Sequence, residues 1–185
     1  GNHFDESGLK QFDFLLKEGL KPSHKFLEVG CGNGRAARFF IRYLEPKCYF
    51  GLDHYQWLID AAFEYELTEW EKVRMPNFIV NDNFEFAKFG DIKFDYVLAK
   101  SVFTHLTKDK IKECLTNVRK VIKSTGVFYA SIFEGDSSGN LKISDDVKRF
   151  MYSIDEIKEL AVGWNVESLG HAGTYRQTML KFLQI

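Results

Sequence analysis

The sequence predicts an α/β fold built on a doubly wound, mostly parallel sheet, and three observations predict it. Short apolar runs alternate with segments of helical period, the pattern of strands and crossover helices. A glycine-rich bend, Gly30-Cys31-Gly32-Asn33-Gly34, joins the first run to the first crossover helix, and the next run leads into an acid, Asp53. The last two runs are separated by a turn at His171 to Gly173, too short for a parallel crossover, so the final pair is antiparallel. At 185 residues the chain is expected to form one core and a single domain, held together without metal or disulfides.

The elements follow in order. Ser7 to Glu18 reads as a helix with Leu9, Phe12, Leu15 and Leu16 on one face and Gly19 as its stop. Strand one is Lys25 to Val29, and the helix from Arg35 to Leu44 buries Ala36, Phe39, Phe40 and Tyr43. Strand two, Cys48 to Leu52, completes a βαβ unit. A helix over Gln56 to Leu67, strand three at Asn77 to Val80 and strand four at Phe94 to Ala99 come next. Thr107 is a candidate cap for the helix Asp109 to Ile122, where Ile111, Leu115, Val118 and Ile122 recur at helical spacing. Gly126 opens strand five, Val127 to Ile132. An insertion over 133–153 contains the polar run Gly135 to Asn140. Ser153 and Glu156 form a capping box for a short helix to Ala161, which leads to strands Asn165 to Leu169 and Thr178 to Leu183.

Composition excludes several classes. Twenty-five basic against 26 acidic residues leave a net charge of -1, with no field to draw a phosphate backbone, so nucleic acid is not an expected partner. No apolar run approaches the roughly 20 residues that span a bilayer, and no basic-then-apolar leader opens the chain. The expected location is the cytoplasm, without membrane insertion. Cys31, Cys48 and Cys114 are odd in number and in no CxxC pair, which predicts reduced thiols. No HxxxH or comparable ligand spacing is present, so no metal is expected. The 18 phenylalanines fall mostly on core faces and read as packing rather than as a surface for stacking bases.

The chemistry concentrates at the glycine bend. Gly30, Gly32 and Gly34 let a ligand approach the backbone closely, and Asp53, 19 residues past Gly34, stands where a carboxylate accepts hydrogen bonds from vicinal ribose hydroxyls. A dinucleotide fingerprint requires GxGxxG. Position 35 is Arg and the pattern is GxGxG, which argues against a nicotinamide oxidoreductase.

The segment LEVGCGNGRAARFF resembles motif I of the class I S-adenosylmethionine-dependent methyltransferases, and FDYVLAKSVFTHL resembles their fourth motif. The resemblance runs from about Phe26 to Ile185. It implies a Rossmann-like, seven-stranded sheet of order 3-2-1-4-5-7-6 with strand seven antiparallel. It also implies cofactor contacts from Glu28 and the Gly30, Cys31, Gly32, Asn33 and Gly34 backbone to the methionine part, from Asp53 to the ribose, and from Asp82 and Asn83 to the adenine. His54, Tyr55 and Phe84 are candidates for packing on the rings or for ordinary core packing. A narrower likeness, through SGLKQFDFLLKEGLKPSHKFLEVGCG, is to small bacterial methyltransferases associated with carbohydrate and surface-glycan pathways.

Methyl transfer from a sulfonium is an in-line displacement that needs near-attack positioning and exclusion of water. A hydroxyl acceptor loses its proton on transfer, and a neutral histidine suits that task. His105, just past strand four, is either the base or a structural hydrogen-bonder. His171, flanked by Tyr175 and Arg176, is either a substrate contact or a solvated turn. Lys100 and Ser101 end strand four, where they would meet the methionine carboxylate or the acceptor, or solvent. Glu134 and Asp136 are candidates for sugar hydroxyls or a charged loop tip, and His3, Phe4 and Ser7 for a lid. The expected activity is metal-independent methylation of a small molecule, with a sugar or activated-sugar hydroxyl foremost. An amine acceptor and a non-catalytic cofactor-binding partner subunit are the alternatives.

Overall fold

The computed structural model describes residues 2–171 and 176–185; for residues 2–5 it describes the backbone only. The chain divides into two compact units, one ending at Asp82 and one beginning at Asn83.

The first unit opens with α1 (Asn2–Lys17), which starts earlier than its apolar pattern begins. β1 (Phe26–Val29) is buried at all four positions, the acidic Glu28 among them. α2 (Ala37–Tyr43) turns Ala37, Phe40 and Ile41 inward at helical spacing, and the Phe40 ring lies 4.3 Å from that of Phe26. Phe12 of α1 meets Phe40 and Tyr43 edge-on, at 5.5 Å each. β2 (Tyr49–Asp53) is fully buried and runs parallel to β1, with Glu28 opposite Gly51 and Val29 opposite Leu52. α3 (Gln56–Ala61) passes into a π turn, Ala62–Glu66, where one uninterrupted helix was expected. α4 (Glu69–Lys72) is opened by a Thr68–Glu71 capping box, and β3 (Asn77–Val80) pairs parallel with β2. The order here is β3-β2-β1.

In the second unit β4 (Phe94–Ala99) pairs parallel with β5 (Ile122–Glu134). α5 (Lys108–Val121) runs into β5 without a loop, so the strand begins at Ile122 rather than Val127. Gly126 lies inside the strand, at a position where a Cβ would fall 2.9 Å from the Phe94 carbonyl oxygen. Thr107 occupies the cap position of α5, yet its hydroxyl makes no cap bond. Its amide donates instead to Ser144 Oγ at 3.0 Å. The insertion carries a two-residue strand, β6 (Met151–Tyr152), parallel to β5. The Ser153–Glu156 capping box forms and starts α6 (Ile154–Leu160). β7 (Trp164–His171) pairs antiparallel with β8 (Thr178–Gln184), and β8 pairs antiparallel with β5, giving β4-β5-β8-β7. Counting β7 and β8 as strands six and seven, the order within each unit is the expected one. Among the described residues no helix is long and apolar enough to cross a membrane.

Candidate functional site

The glycine bend leaves β1 under tight backbone control. Gly30 and Cys31 both donate their amides to the Leu52 carbonyl, at 2.7 and 3.0 Å. Gly30, Gly32 and Gly34 all take positive φ, at 72°, 55° and 81°. At Gly32 a Cβ would meet nothing within 4 Å: its surroundings are open, as a cradle for a ligand requires. Gly34 serves packing instead, since a Cβ there would lie 3.1 Å from the Ala62 methyl. With the bend extending to Ala36, α2 begins at Ala37, two residues later than Arg35.

Asp53 faces the bend from the end of β2. Its Oδ2 accepts from the Gly32 amide at 2.8 Å and its Oδ1 from the Tyr55 amide at 3.1 Å, so main-chain dipoles hold a buried carboxylate beside the open glycine. His54 Nδ1 stands 3.5 Å from Oδ1, and the His54 and Tyr55 rings are 3.8 Å apart. Trp57 continues this aromatic edge and is 63% exposed.

Beneath the bend lies a group whose partner the sequence did not reveal. Glu28 is 5% exposed, and Tyr49 donates its phenol to Glu28 Oε2 at 2.6 Å. Burial pushes the Glu28 carboxyl up to about 8; the Tyr49 bond opposes this and the negative Asp53 adds to it. Cys31 is buried, with its Sγ 3.0 Å from where a Gly51 Cβ would stand, and burial pushes its thiol up as well. The Cys31 thiol is thus packed into the core rather than turned to the surface. Asn33 is half-buried, and Asp82, just past β3, is exposed.

In the second unit Asn83 spends its Oδ1 on the Glu85 amide, 3.2 Å away, and Phe84 is buried at positive φ. At the carboxyl ends of β4 and β5, Gln177 gathers a polar cluster. Its Oε1 accepts from Lys100 Nζ, from Ser131 Oγ at 2.8 Å and from Ser101 Oγ at 3.1 Å, and its Nε2 is 3.0 Å from Ser101 Oγ. Ser101 sits at φ 60°, its amide tied to Ser131 Oγ at 2.8 Å. Burial lowers Lys100 to about 8. Gln177 and Ser131 were missed by sequence reasoning. Ser131 carried a signal, as a hydroxyl inside an apolar strand, and Gln177 carried none.

His105 Nδ1 lies 3.1 Å from both the Asp145 and the Lys148 carbonyl oxygens. Two acceptors require that nitrogen to carry hydrogen, which leaves the lone pair of the neutral ring on Nε2. The residue thereby ties the insertion to the segment after β4. His171 ends β7 as an exposed strand residue, not a turn residue; residues 172–175, the remainder of the expected turn together with Tyr175, lie outside the described residues. Arg176 is exposed. Glu134 accepts from Thr178 Oγ1 at 3.1 Å, and Asp136 caps its own turn through Ser138. Ser7 is buried on α1; the side chains of His3 and Phe4 lie outside the described residues.

Comparison with known proteins decides the family: the methyltransferase domain matches residues 27–128, more than half of the chain, from β1 into β5. The chain belongs to the methyltransferase domain family. A glycopeptide N-methyltransferase, MtfA, complexed with S-adenosylmethionine superposes with a TM-score of 0.75 at 16% identity, covering 97% of this chain and 95% of that one. The magnesium protoporphyrin IX methyltransferase ChlM of Synechocystis, with bound S-adenosylmethionine, gives 0.72 at 15%, over 96% and 80%. These likenesses establish the class I methyltransferase fold along the chain. Among curated proteins, a sterol 24-C-methyltransferase of Schizosaccharomyces pombe is 23% identical over 180 residues, 90% of this chain and 46% of its own. One of Gibberella zeae is 25% identical over 155 residues, 80% of this chain and 40% of its own. The chain thus spans less than half the length of these curated relatives.

Proposed function

We propose that this methyltransferase domain binds S-adenosylmethionine at the glycine bend and methylates a small molecule, a hydroxyl of a sugar or activated sugar foremost. The observation that carries the cofactor is the open face of Gly32 beside a main-chain-held Asp53 carboxylate. Asp53 would hold the ribose, the Gly30–Gly34 backbone and Glu28 the methionine part, and Asp82 and Asn83 the adenine. When bound, the group supplies an electrophilic methyl on sulfur, so the protein's own task is to orient, to exclude water and to move a proton.

The sugar reading is supported by the chemistry at the carboxyl ends of β4 and β5, where ligands of open α/β sheets collect. Lys100 and Ser101, half-buried and braced by the buried Ser131 and Gln177, offer polar groups suited to a polyhydroxyl acceptor and ill suited to an apolar sterol. His105, with its lone pair on Nε2, and His171 are the proposed bases. We place the reaction in the cytoplasm, in keeping with three free, buried cysteines, and assign all 185 residues to one domain.

The test is turnover of methyl-labelled S-adenosylmethionine against sugar nucleotides, amines and sterols. Label in a sugar ether supports the reading, and label in an amine or sterol replaces the acceptor class. Tight binding with no transfer to any acceptor points to a non-catalytic partner subunit. His171→Ala should leave cofactor affinity unchanged and lower turnover; an unaltered rate returns His171 to the surface. His105→Ala separates base from strut, because loss of a base flattens the rise of rate with pH, whereas loss of a strut lowers the rate equally at every pH.

A further inference from the structure

We propose that Glu28 and Tyr49 make the glycine bend a proton-exchanging site, at which a ligand's ammonium is taken up while Glu28 releases its proton to solvent. The inference rests on the reading of this bend as the seat of an adenosyl ligand with an amino-acid tail.

Strand alternation and register carry it. Glu28 pairs with Gly51 and Phe26 with Tyr49, so Glu28, Tyr49, Gly51 and Asp53 share one face of adjacent parallel strands. With no side chain at Gly51, the Tyr49 phenol reaches along the strand direction to Glu28 Oε2, 2.6 Å away. Among the described residues, the titratable groups coupled to Glu28 are Tyr49 and Asp53 of β2 and Cys31 of the bend, with His54 beyond Asp53. The charge acting on the carboxyl is that of Asp53, which opposes ionisation.

Burial holds Glu28 protonated up to about pH 8, whereas an ammonium is best served by the carboxylate. Below that pH each ligand bound by its ammonium must displace about one proton, and affinity climbs about tenfold per pH unit. Tyr49 donates to the carboxylate and so favours the ionised form; it acts as a positioning residue.

The experiment is calorimetry on the whole chain between pH 6 and 7.5, in buffers of differing ionisation enthalpy. The probes are S-adenosylmethionine, S-adenosylhomocysteine and 5′-methylthioadenosine, the last having the nucleoside and no charged group. About one proton should leave with each of the first two, and none with the third. Glu28→Gln should abolish the release and flatten the pH dependence. Tyr49→Phe should weaken the two charged ligands several-fold, still with release of a proton, while 5′-methylthioadenosine binds as before; general damage to the bend would weaken all three. S-adenosylmethionine binding without proton release by the native chain, or equal release with 5′-methylthioadenosine, overturns the inference and leaves the cofactor assignment standing. Failure of all three to bind at any pH overturns both. The native buffer series decides the matter even where a variant fails to fold.

Discussion

Asp53 owes its candidacy to two amides, those of Gly32 and Tyr55, which neutralise much of the cost of burying a carboxylate while leaving lone pairs for a ribose. Asp53→Ala should weaken S-adenosylmethionine by roughly 1.5–3 kcal/mol, the worth of charge-assisted hydrogen bonds; calorimetry that finds native affinity removes Asp53 from the site. Glu28 has the opposite electrostatic character. Its folded-state pKa of about 8 exceeds the ordinary 4.5, so the folded chain holds a proton that the unfolded chain has lost. Stability therefore declines as pH rises from about 4.5 to about 8 and is flat above, by a few kcal/mol at most. Glu28→Gln should reduce that slope in denaturant midpoints measured from pH 5 to 9, and an unchanged slope would show that Glu28 ionises freely. Asp53 was legible because it ends a strand one crossover past the glycine bend, and Glu28 through the resemblance carried by LEVGCGNG. Tyr49 was not, since in CYFGLD it reads as one more apolar strand residue and only the β1–β2 register brings its hydroxyl to Glu28.

Where secondary structure meets its neighbours, small residues and caps set the geometry. At Gly8 of α1 a Cβ would stand 2.5 Å from the Arg35 carbonyl oxygen, a rigid backbone atom, so α1 lies against the segment that follows the bend only because that side chain is missing. Gly8→Ala should displace α1 and lower stability by about 1–3 kcal/mol, the usual cost of overpacking; an unshifted thermal midpoint would mean that α1 lies elsewhere. Thr68 and Ser153 cap α4 and α6 through reciprocal boxes with Glu71 and Glu156. Ser153→Ala should cost about 1 kcal/mol in chemical denaturation. The Ser153 box was readable from spacing, because both its bonds are local. The π turn at Ala62–Glu66 was not, since nothing in the spacing of AFEYE sets it apart from an ordinary helical turn.

Binding at one site should be felt by the whole chain. A ligand at 100 times its dissociation constant adds about 2.7 kcal/mol to folding stability, which for a chain of 185 residues raises the thermal midpoint by roughly 5–10 °C. S-adenosylmethionine and S-adenosylhomocysteine should each produce such a shift and NADH none. A shift with NADH alone would reopen the oxidoreductase reading that Arg35 argues against. Alternation of apolar runs, the bend, the strand-end acid and the short last connection by themselves determined the α/β class, the strand sequence and the antiparallel last pair, because each is a local pattern written in neighbouring residues. The tertiary structure alone decided that Tyr49 meets Glu28, that Gln177 binds Ser101, Ser131 and Lys100, and that His105 clasps the insertion. Those contacts join residues 21 to 77 positions apart, and a hydrogen bond of that span depends on strand register and packing that no single segment encodes.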